Sequence, residues 1–275
     1  MAWDPRQYLK FSGERLRPGF DLLAQVGELP AGPLYELGCG TGTHARAIAE
    51  RWPDRTLTAI DKSPQMLAEA AAQPSAIQWR EGDIANWSAP EQGALIFSNA
   101  TLHWLDRHER LFPHLLRQLV AGGTLAVQMP RNFAAPSHAL LRETATDGEW
   151  APLLRASASA GVQSMLRPDP VQPPEFYYDL LAPLAAGGIE LWETEYLHKL
   201  EGEYAVLEWV RGTALRPLLE ALPPDLAAAF ERTYAAKLRA AYPRRADGRT
   251  LLPFRRLFII ARAQVIDGRP AGRWR

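Results

Sequence analysis

The sequence predicts an α/β fold, a mostly parallel sheet with helices on both faces. Short apolar runs alternate with helical patterns as far as Pro130. Such alternation builds parallel sheets, because each parallel pair needs a crossover. A glycine-rich turn, Gly38-Cys39-Gly40-Thr41-Gly42, joins the first apolar run to the first helical pattern. Acidic residues, Asp61 and Asp83, close the second and third runs.

The elements follow in order. "LYEL" (34–37) is a strand and residues 43–52 carry a helical pattern. "LTAID" (57–61) is the second strand. Ser63-Pro64 opens the next helix, with serine as cap and proline at the first helical position, where a missing N–H is harmless. "AIQWREGD" (76–83) and "ALIFSN" (94–99) are the third and fourth strands. Residues 106–120 form a helix that stops at Gly122-Gly123, and "TLAVQMP" (124–130) is the fifth strand. Beyond Pro130 the texture changes. Residues 131–175 are rich in Pro, Ala and Ser, with a helix near 137–145, and "FYYDLLAPLA" is helical. "IELWETEYLHKL" (189–200) is a strand, residues 203–222 and 225–241 are helical, and "FRRLFIIARA" (254–263) is a late apolar strand. One domain over 1–275 is expected, with helical insertions at 131–175 and 202–247 capping the ligand edge of the sheet.

Composition narrows the function. Of 275 residues, 47% are hydrophobic and 23% charged, ordinary for a soluble globular chain. Lys+Arg and Asp+Glu both number 31, so no net field pulls the chain toward nucleic acid or an anionic membrane. The one cysteine, Cys39, excludes an internal disulfide and a cysteine zinc cluster, and it is expected to be a small filler in the turn. The histidines are too dispersed for a metal site. The N-terminus lacks the pattern of a secretory signal and no apolar run is long enough to span a bilayer, so a cytoplasmic protein, expected to be monomeric, is implied.

In an open parallel sheet, ligands bind at the carboxyl ends of the strands, where the strand order reverses. Gly38 and Gly40 let the backbone approach a ligand there, and the helix after Thr43 turns its positive end into the site. Asp61 lies about 20 residues on, the separation expected for gripping ribose hydroxyls. A dinucleotide fingerprint requires Gly-x-Gly-x-x-Gly, and here the third glycine comes one residue early. Plainer readings stand beside these: Asp61 as a strand-end cap, Asp83 as a turn cap, Met66 as core filling.

"ELGCGTG", "AID", "GDI" and "SNATLHW" resemble the ordered motifs of class I S-adenosylmethionine-dependent methyltransferases, over about residues 33–130. The resemblance implies a Rossmann-like sheet of about seven strands with the last antiparallel, which suits 254–263. It implies S-adenosylmethionine as cofactor, with Glu36 and the Gly38 backbone at its methionine moiety and Asp61 on the ribose. Met66 would pack beside adenine, Asp83 and Ile84 would frame its edge, and Asn99 would lie near the methionyl end. A closer resemblance runs along the whole chain, through "GGTLAVQMPRN", "EWVRGTALRP" and "ADGRTLLPFRRLF", to methyltransferases that make the monomethyl ester of a tricarboxylate.

That implication sets the chemistry. A carboxylic acid of pKa near 4 is ionised at neutral pH, so no catalytic base is needed, and His103 is expected to shape the site rather than move a proton. Positioning and exclusion of water remain. Arginine suits the polycarboxylate, because its planar fork pairs carboxylates and stays charged. Arg216 is the leading candidate, followed by Arg131, Arg249 and Arg255. Tyr8 and Trp3 are expected to close over the cofactor, and Trp104 to wall the transfer region. A methyltransferase acting on a hydroxyl, an amine or carbon is the alternative, with a dinucleotide oxidoreductase more distant.

Overall fold

A computed structural model describes residues 12–167 and 169–264. Helix α1 (Ser12–Gln25) precedes β1 (Leu34–Leu37), α2 (Thr43–Arg51), β2 (Leu57–Asp61), α3 (Pro64–Ala71) and β3 (Gln78–Glu81). Then come β4 (Gly93–Asn99), a short 3₁₀ turn at Leu102–Trp104, α4 (His108–Arg117) and β5 (Leu119–Pro130). Helices α5 (Pro136–Thr146), α6 (Ala151–Ala156), α7 (Ala160–Leu166) and α8 (Pro174–Leu181) lead to β6 (Ala185–Leu200). The chain continues through α9 (Ala205–Val210), α10 (Arg216–Glu220) and α11 (Pro224–Ala241) into β7 (Thr250–Ala263).

The seven strands form one sheet in the order β3-β2-β1-β4-β5-β7-β6. The first five run parallel, and β7 is antiparallel to both its neighbours. The order reverses between β1 and β4, which opens a crevice at their carboxyl ends. Alternation along each strand divides the core in two. Leu34, Leu57, Ala59, Leu95, Phe97, Ala126, Phe258 and Ile260 face α1 and α2. Leu37, Ile60, Ile96, Val127, Leu257 and Ile259 face α4 and α8.

A third apolar cluster is separate. It joins α5, α6, α7, α9, α10 and α11 to Leu200 of β6 and to Leu252 and Phe254 of β7. Because Pro130, the last residue of β5, pairs with Arg256, those three side chains project past the carboxyl edge of the sheet. The helices packed on them therefore sit at that edge.

Three expectations give way. Gly122-Gly123 does not end a helix but lies inside β5, at a bulge where the partner shifts from Leu119 to Thr124 while β4 advances from Gly93 to Leu95. Gly122 takes φ +75°, and a Cβ on Gly123 would stand 2.9 Å from two carbonyl oxygens. The helix expected over 203–222 is interrupted by a π turn at Arg211–Leu215. Pro217 has no N–H to give to Thr213, so the ladder widens there. The sixth strand starts at Ala185, earlier than 189. Among the described residues no helix is long and apolar enough to cross a membrane.

Candidate active site

The glycine turn is built for close approach. Gly38, Gly40 and Gly42 take φ of +77°, +54° and +80°, a region that residues with a Cβ avoid. A Cβ on Gly38 would lie 2.2 Å from Thr101 Cγ2, whereas one on Gly40 would meet nothing within 4 Å. The Gly38 position is thus demanded by the protein, and Gly40 borders open space. The N–H groups of Gly38 and Cys39 both donate to Ile60 O, at 2.8 and 3.0 Å, which ties the turn to β2. Opposite the turn, Ala100 is held at φ +51° just after β4. Strained residues of this kind cluster at functional sites.

Asp61 organises the turn. Its Oδ2 accepts from Gly40 N–H at 2.8 Å and its Oδ1 from Ser63 N–H at 2.9 Å. Each oxygen keeps a second lone pair for a hydroxyl donor. Ser63 in turn caps α3 through Met66 N–H at 3.4 Å, and Met66 is buried. Asp83 is exposed and accepts from Ala85 N–H at 2.9 Å, starting the 3₁₀ turn whose first residue, Ile84, is buried.

The strand registers place a row of polar side chains along the carboxyl edge, all on the face toward α1. Glu36, Asp61, Asn99, Gln128 and Arg256 each stand two residues from a member of that face's core: Leu34, Ala59, Phe97, Ala126 and Phe258. The row is sorted by charge. Acids occupy β1 and β2, amides β4 and β5, and a guanidinium β7. Buried atoms without a hydrogen-bond partner among the described residues sort the same way. Glu36 Oε2 and Asn99 Oδ1 are acceptors, whereas Gln128 Nε2 and Asn132 Nδ2 are donors. Buried polar atoms are rarely left unpaired, so the first pair calls for a donor-rich ligand and the second for an acceptor.

Electrostatics follow the same division. Burial first, and the charge of Asp61 second, push Glu36 up to about 8, against an amide hydrogen bond from Ala45. His103 is buried, its Nδ1 without a partner among the described residues, and burial followed by the Arg256 charge holds it down to about 3. His198 falls to about 4 through burial, then Arg256 and Arg15. His103 is therefore a neutral and very weak base. Burial also pushes the Cys39 thiol up, which leaves it unreactive.

The other arginines do not converge on this row. Arg216 pairs with Glu220 on its own helix at 2.6 Å. Arg249 pairs with Glu201 at 3.2 Å and Asp247 at 3.7 Å. Arg131, bonded to Glu193 at 2.5 Å, and Arg255, 4.0 Å from Glu195, line a separate cavity of about 580 Å³ with Arg245 and Tyr242. Trp104 is exposed, its ring 4.6 Å from that of His103. Tyr8 and Trp3 lie outside the described residues. Reading the sequence alone selected Arg255 and missed Arg256, its neighbour. Arg255 is 52% exposed and Arg256 only 4%. The two point to opposite faces of β7, and only the register with β5 tells which face looks toward Glu36 and Asp61. Gln128, on β5, was missed for the same reason.

A sheet of this order with a glycine turn at its switch point defines a Rossmann-like methyltransferase. A family model described as "Methyltransferase domain" matches residues 34–123. Trans-aconitate 2-methyltransferase of Sinorhizobium fredii is 44% identical over 261 residues, covering 95% of this chain and 98% of its own. That of Azoarcus sp. is 45% identical, covering 94% and 98%. That of Streptomyces coelicolor is 46% identical, covering 95% and 86%. The chain belongs to the trans-aconitate 2-methyltransferase family. Solved structures share the fold. YcgJ of Bacillus subtilis superposes with TM-score 0.54 at 12% identity, covering 90% of this chain and 99% of its own. Phosphoethanolamine N-methyltransferase 2 of Haemonchus contortus, in complex with S-adenosylhomocysteine, gives TM-score 0.54 at 14% identity, covering 94% and 56%.

Proposed function

We propose that this chain is an S-adenosylmethionine-dependent O-methyltransferase that esterifies a carboxylate of trans-aconitate or a related polycarboxylic acid, yielding the monomethyl ester and S-adenosylhomocysteine. The observation that carries this reading is 44% identity over 95% of the chain to a protein of that activity.

The site residues fit the cofactor. Glu36 Oε2 and Asn99 Oδ1, buried acceptors without partners among the described residues, suit its ammonium and hydroxyl donors, and Gly40 leaves room for it. Glu36, the Gly38 backbone and Asn99 would hold the methionyl end, Asp61 the ribose, and Met66, Asp83 and Ile84 the adenine. When bound, S-adenosylmethionine supplies an electrophilic methyl group on a sulfonium centre.

The remaining work falls to this chain's residues. The acceptor carboxylate is ionised at neutral pH, so the weak basicity of His103 costs nothing. Cations at the β5–β7 end favour the acid, and the acids at the β1–β2 end are kept away from it. The helices packed on Leu200, Leu252 and Phe254 act as a cap that excludes water, which would otherwise solvate the carboxylate and blunt it. Holding the reacting atoms about 3–3.5 Å apart is worth up to about 7–11 kcal/mol in ideal cases. The reading carries with it a monomer in the cytoplasm that takes a free small acid and no nucleic acid.

Incubation with methyl-labelled S-adenosylmethionine and trans-aconitate, cis-aconitate, isocitrate or citrate, read by mass spectrometry, tests it. A singly methylated acid that loses its label in mild alkali is expected. Cofactor binding with no acid methylated would overturn the reading, and an alkali-stable product would point to another acceptor atom.

A further inference from the structure

The cavity that Arg131, Arg245 and Arg255 line stands on the other face of the sheet from the polar row that begins at Glu36 and Asp61. Arg131 follows Met129 by two residues and Arg255 precedes Leu257 by two, and those apolar neighbours belong to the core facing α4 and α8. The row at Glu36 and Asp61 faces α1. At about 580 Å³ the cavity falls within the roughly 300–1,000 Å³ usual for small-molecule sites. Three segments build it: the chain just after β5, the β6–β7 ladder beyond the sheet edge, and the end of α11 with the loop that follows.

Its polar side chains, Glu195 excepted, present donors. Asn132 is 5% exposed, and its Oδ1 accepts from Arg255 N–H at 3.3 Å, which fixes the oxygen end of the amide. Its Nδ2 is buried without a hydrogen-bond partner among the described residues, a defect that an acceptor would remove. Tyr242 accepts from Ser137 N–H at 3.0 Å and keeps its own hydroxyl hydrogen to give. That N–H belongs to the first turn of α5, which has no side-chain cap at Ala135 and directs its positive end to this place. Arg131 gives Nη1 to Glu193 at 2.5 Å and Arg255 stands 4.0 Å from Glu195, so each guanidinium keeps further donors. Arg245 is exposed and has neither an ion pair nor a side-chain hydrogen bond among the described residues.

The walls between these donors are apolar. Leu197, 55% exposed, lies there with Leu251 and Pro253. Arg131 and Arg255 adjoin, since Arg131 N–H donates to Arg255 O at 2.9 Å, whereas Arg245 comes from the loop after α11 on another wall. Carboxylates spread along a carbon skeleton suit positive charge on separate walls with hydrocarbon between, and one compact inorganic anion does not.

We propose that this cavity is a second binding site, separate from the cofactor and acceptor row, for a small organic acid bearing two or more carboxylates. The inference does not rest on the function proposed above. Propane-1,2,3-tricarboxylate and, in a second arm, inorganic phosphate are titrated by calorimetry into wild type, Arg245→Glu and Asn132→Asp, with and without saturating S-adenosylhomocysteine. Asn132→Asp keeps the acceptor for Arg255 N–H but replaces the donor with a negative charge. One tricarboxylate binding event should weaken about 10-fold in Arg245→Glu and at least about 30-fold in Asn132→Asp. It should persist with S-adenosylhomocysteine bound and exceed phosphate binding. KM for trans-aconitate in Arg245→Glu should stay within about twofold. Acid binding unchanged in both variants overturns the proposal, as does displacement of the acid by S-adenosylhomocysteine. A KM that rises in step with the lost binding would make the cavity the acceptor site and overturn its separateness. Phosphate bound as tightly as the tricarboxylate overturns the ligand class. Should Asn132→Asp not fold, Arg245→Glu decides. A wild-type protein that yields no ester contradicts the proposed function alone, because these titrations need no turnover.

Discussion

Along one edge of the sheet, the ends of β1 and β2 present Glu36 and Asp61, and the ends of β5 and β7 present Gln128 and Arg256. The two halves differ in how they are made. The acid half comes from one local stretch, a strand, a turn, a helix and a second strand, closed by backbone bonds from Gly38 and Cys39 to Ile60 and by Asp61 on Gly40. The half that holds Arg256 is assembled from positions 15, 103, 128, 198 and 256, which come together only through the order of the sheet and the packing of α1. Local construction suits a ligand whose shape is constant. Distributed construction lets the acceptor site change one element at a time.

If the halves are separable, damage to one should leave the other. The largest effect is expected from Gly38→Val. Its Cβ meets Thr101 at a φ of +77°, and strain plus overpacking should cost about 3–5 kcal/mol in denaturant unfolding. A cost below 1 kcal/mol would mean the turn is not held as described. Next is Asp61→Ala, which removes an ionised acceptor from two amides and should weaken cofactor binding by about 1.5–3 kcal/mol in calorimetry. KM for the acid, at saturating cofactor, should then move less than threefold. An equal rise in both would join the halves into one unit.

The halves also carry opposite pH signs. The folded pKa of Glu36, about 8, lies above its ordinary value of 4.5, so the folded protein keeps a proton the unfolded chain has lost. This group lowers stability as pH rises between those values. His103 at about 3 and His198 at about 4 lie below 6.5, so their contribution is present above 6.5 and is lost as pH falls through that value toward 4 and 3. Melting temperature against pH should show both arms without ligand, and Glu36→Gln should remove only the alkaline one. If the cofactor's cationic end stands beside Glu36 as proposed, the carboxyl should ionise, and binding at pH 7 should release a fraction of a proton, measured by calorimetry in two buffers. No release would separate Glu36 from the methionyl end. The smallest effect is Ser63→Ala, about 1 kcal/mol of stability through the lost cap of α3, with the acceptor half untouched.

Legibility in the sequence follows the same division. Strands β1, β2 and β4 and the cap at Ser63 are visible because apolar runs, glycines and capping residues encode them locally. The Gly122-Gly123 bulge is not, because a glycine pair after a helical pattern reads as a stop until the β4 register shows the slip. The π turn hides because Pro217 acts four residues upstream of itself. Arg256 is hidden most deeply. Side by side on one strand, Arg255 and Arg256 are equivalent in the sequence until a neighbour across the ladder assigns each a side.

Strand β7 belongs to two cores at once. Phe254 packs among the helices, Phe258 packs under α1, and Arg256 stands midway between them. The position of its backbone is therefore set by the packing of both layers. A change of volume beside Phe254 would therefore be felt at Arg256 as well as in the helical layer. Hydrocarbon packing on both sides of the sheet edge in this way sets where that guanidinium stands.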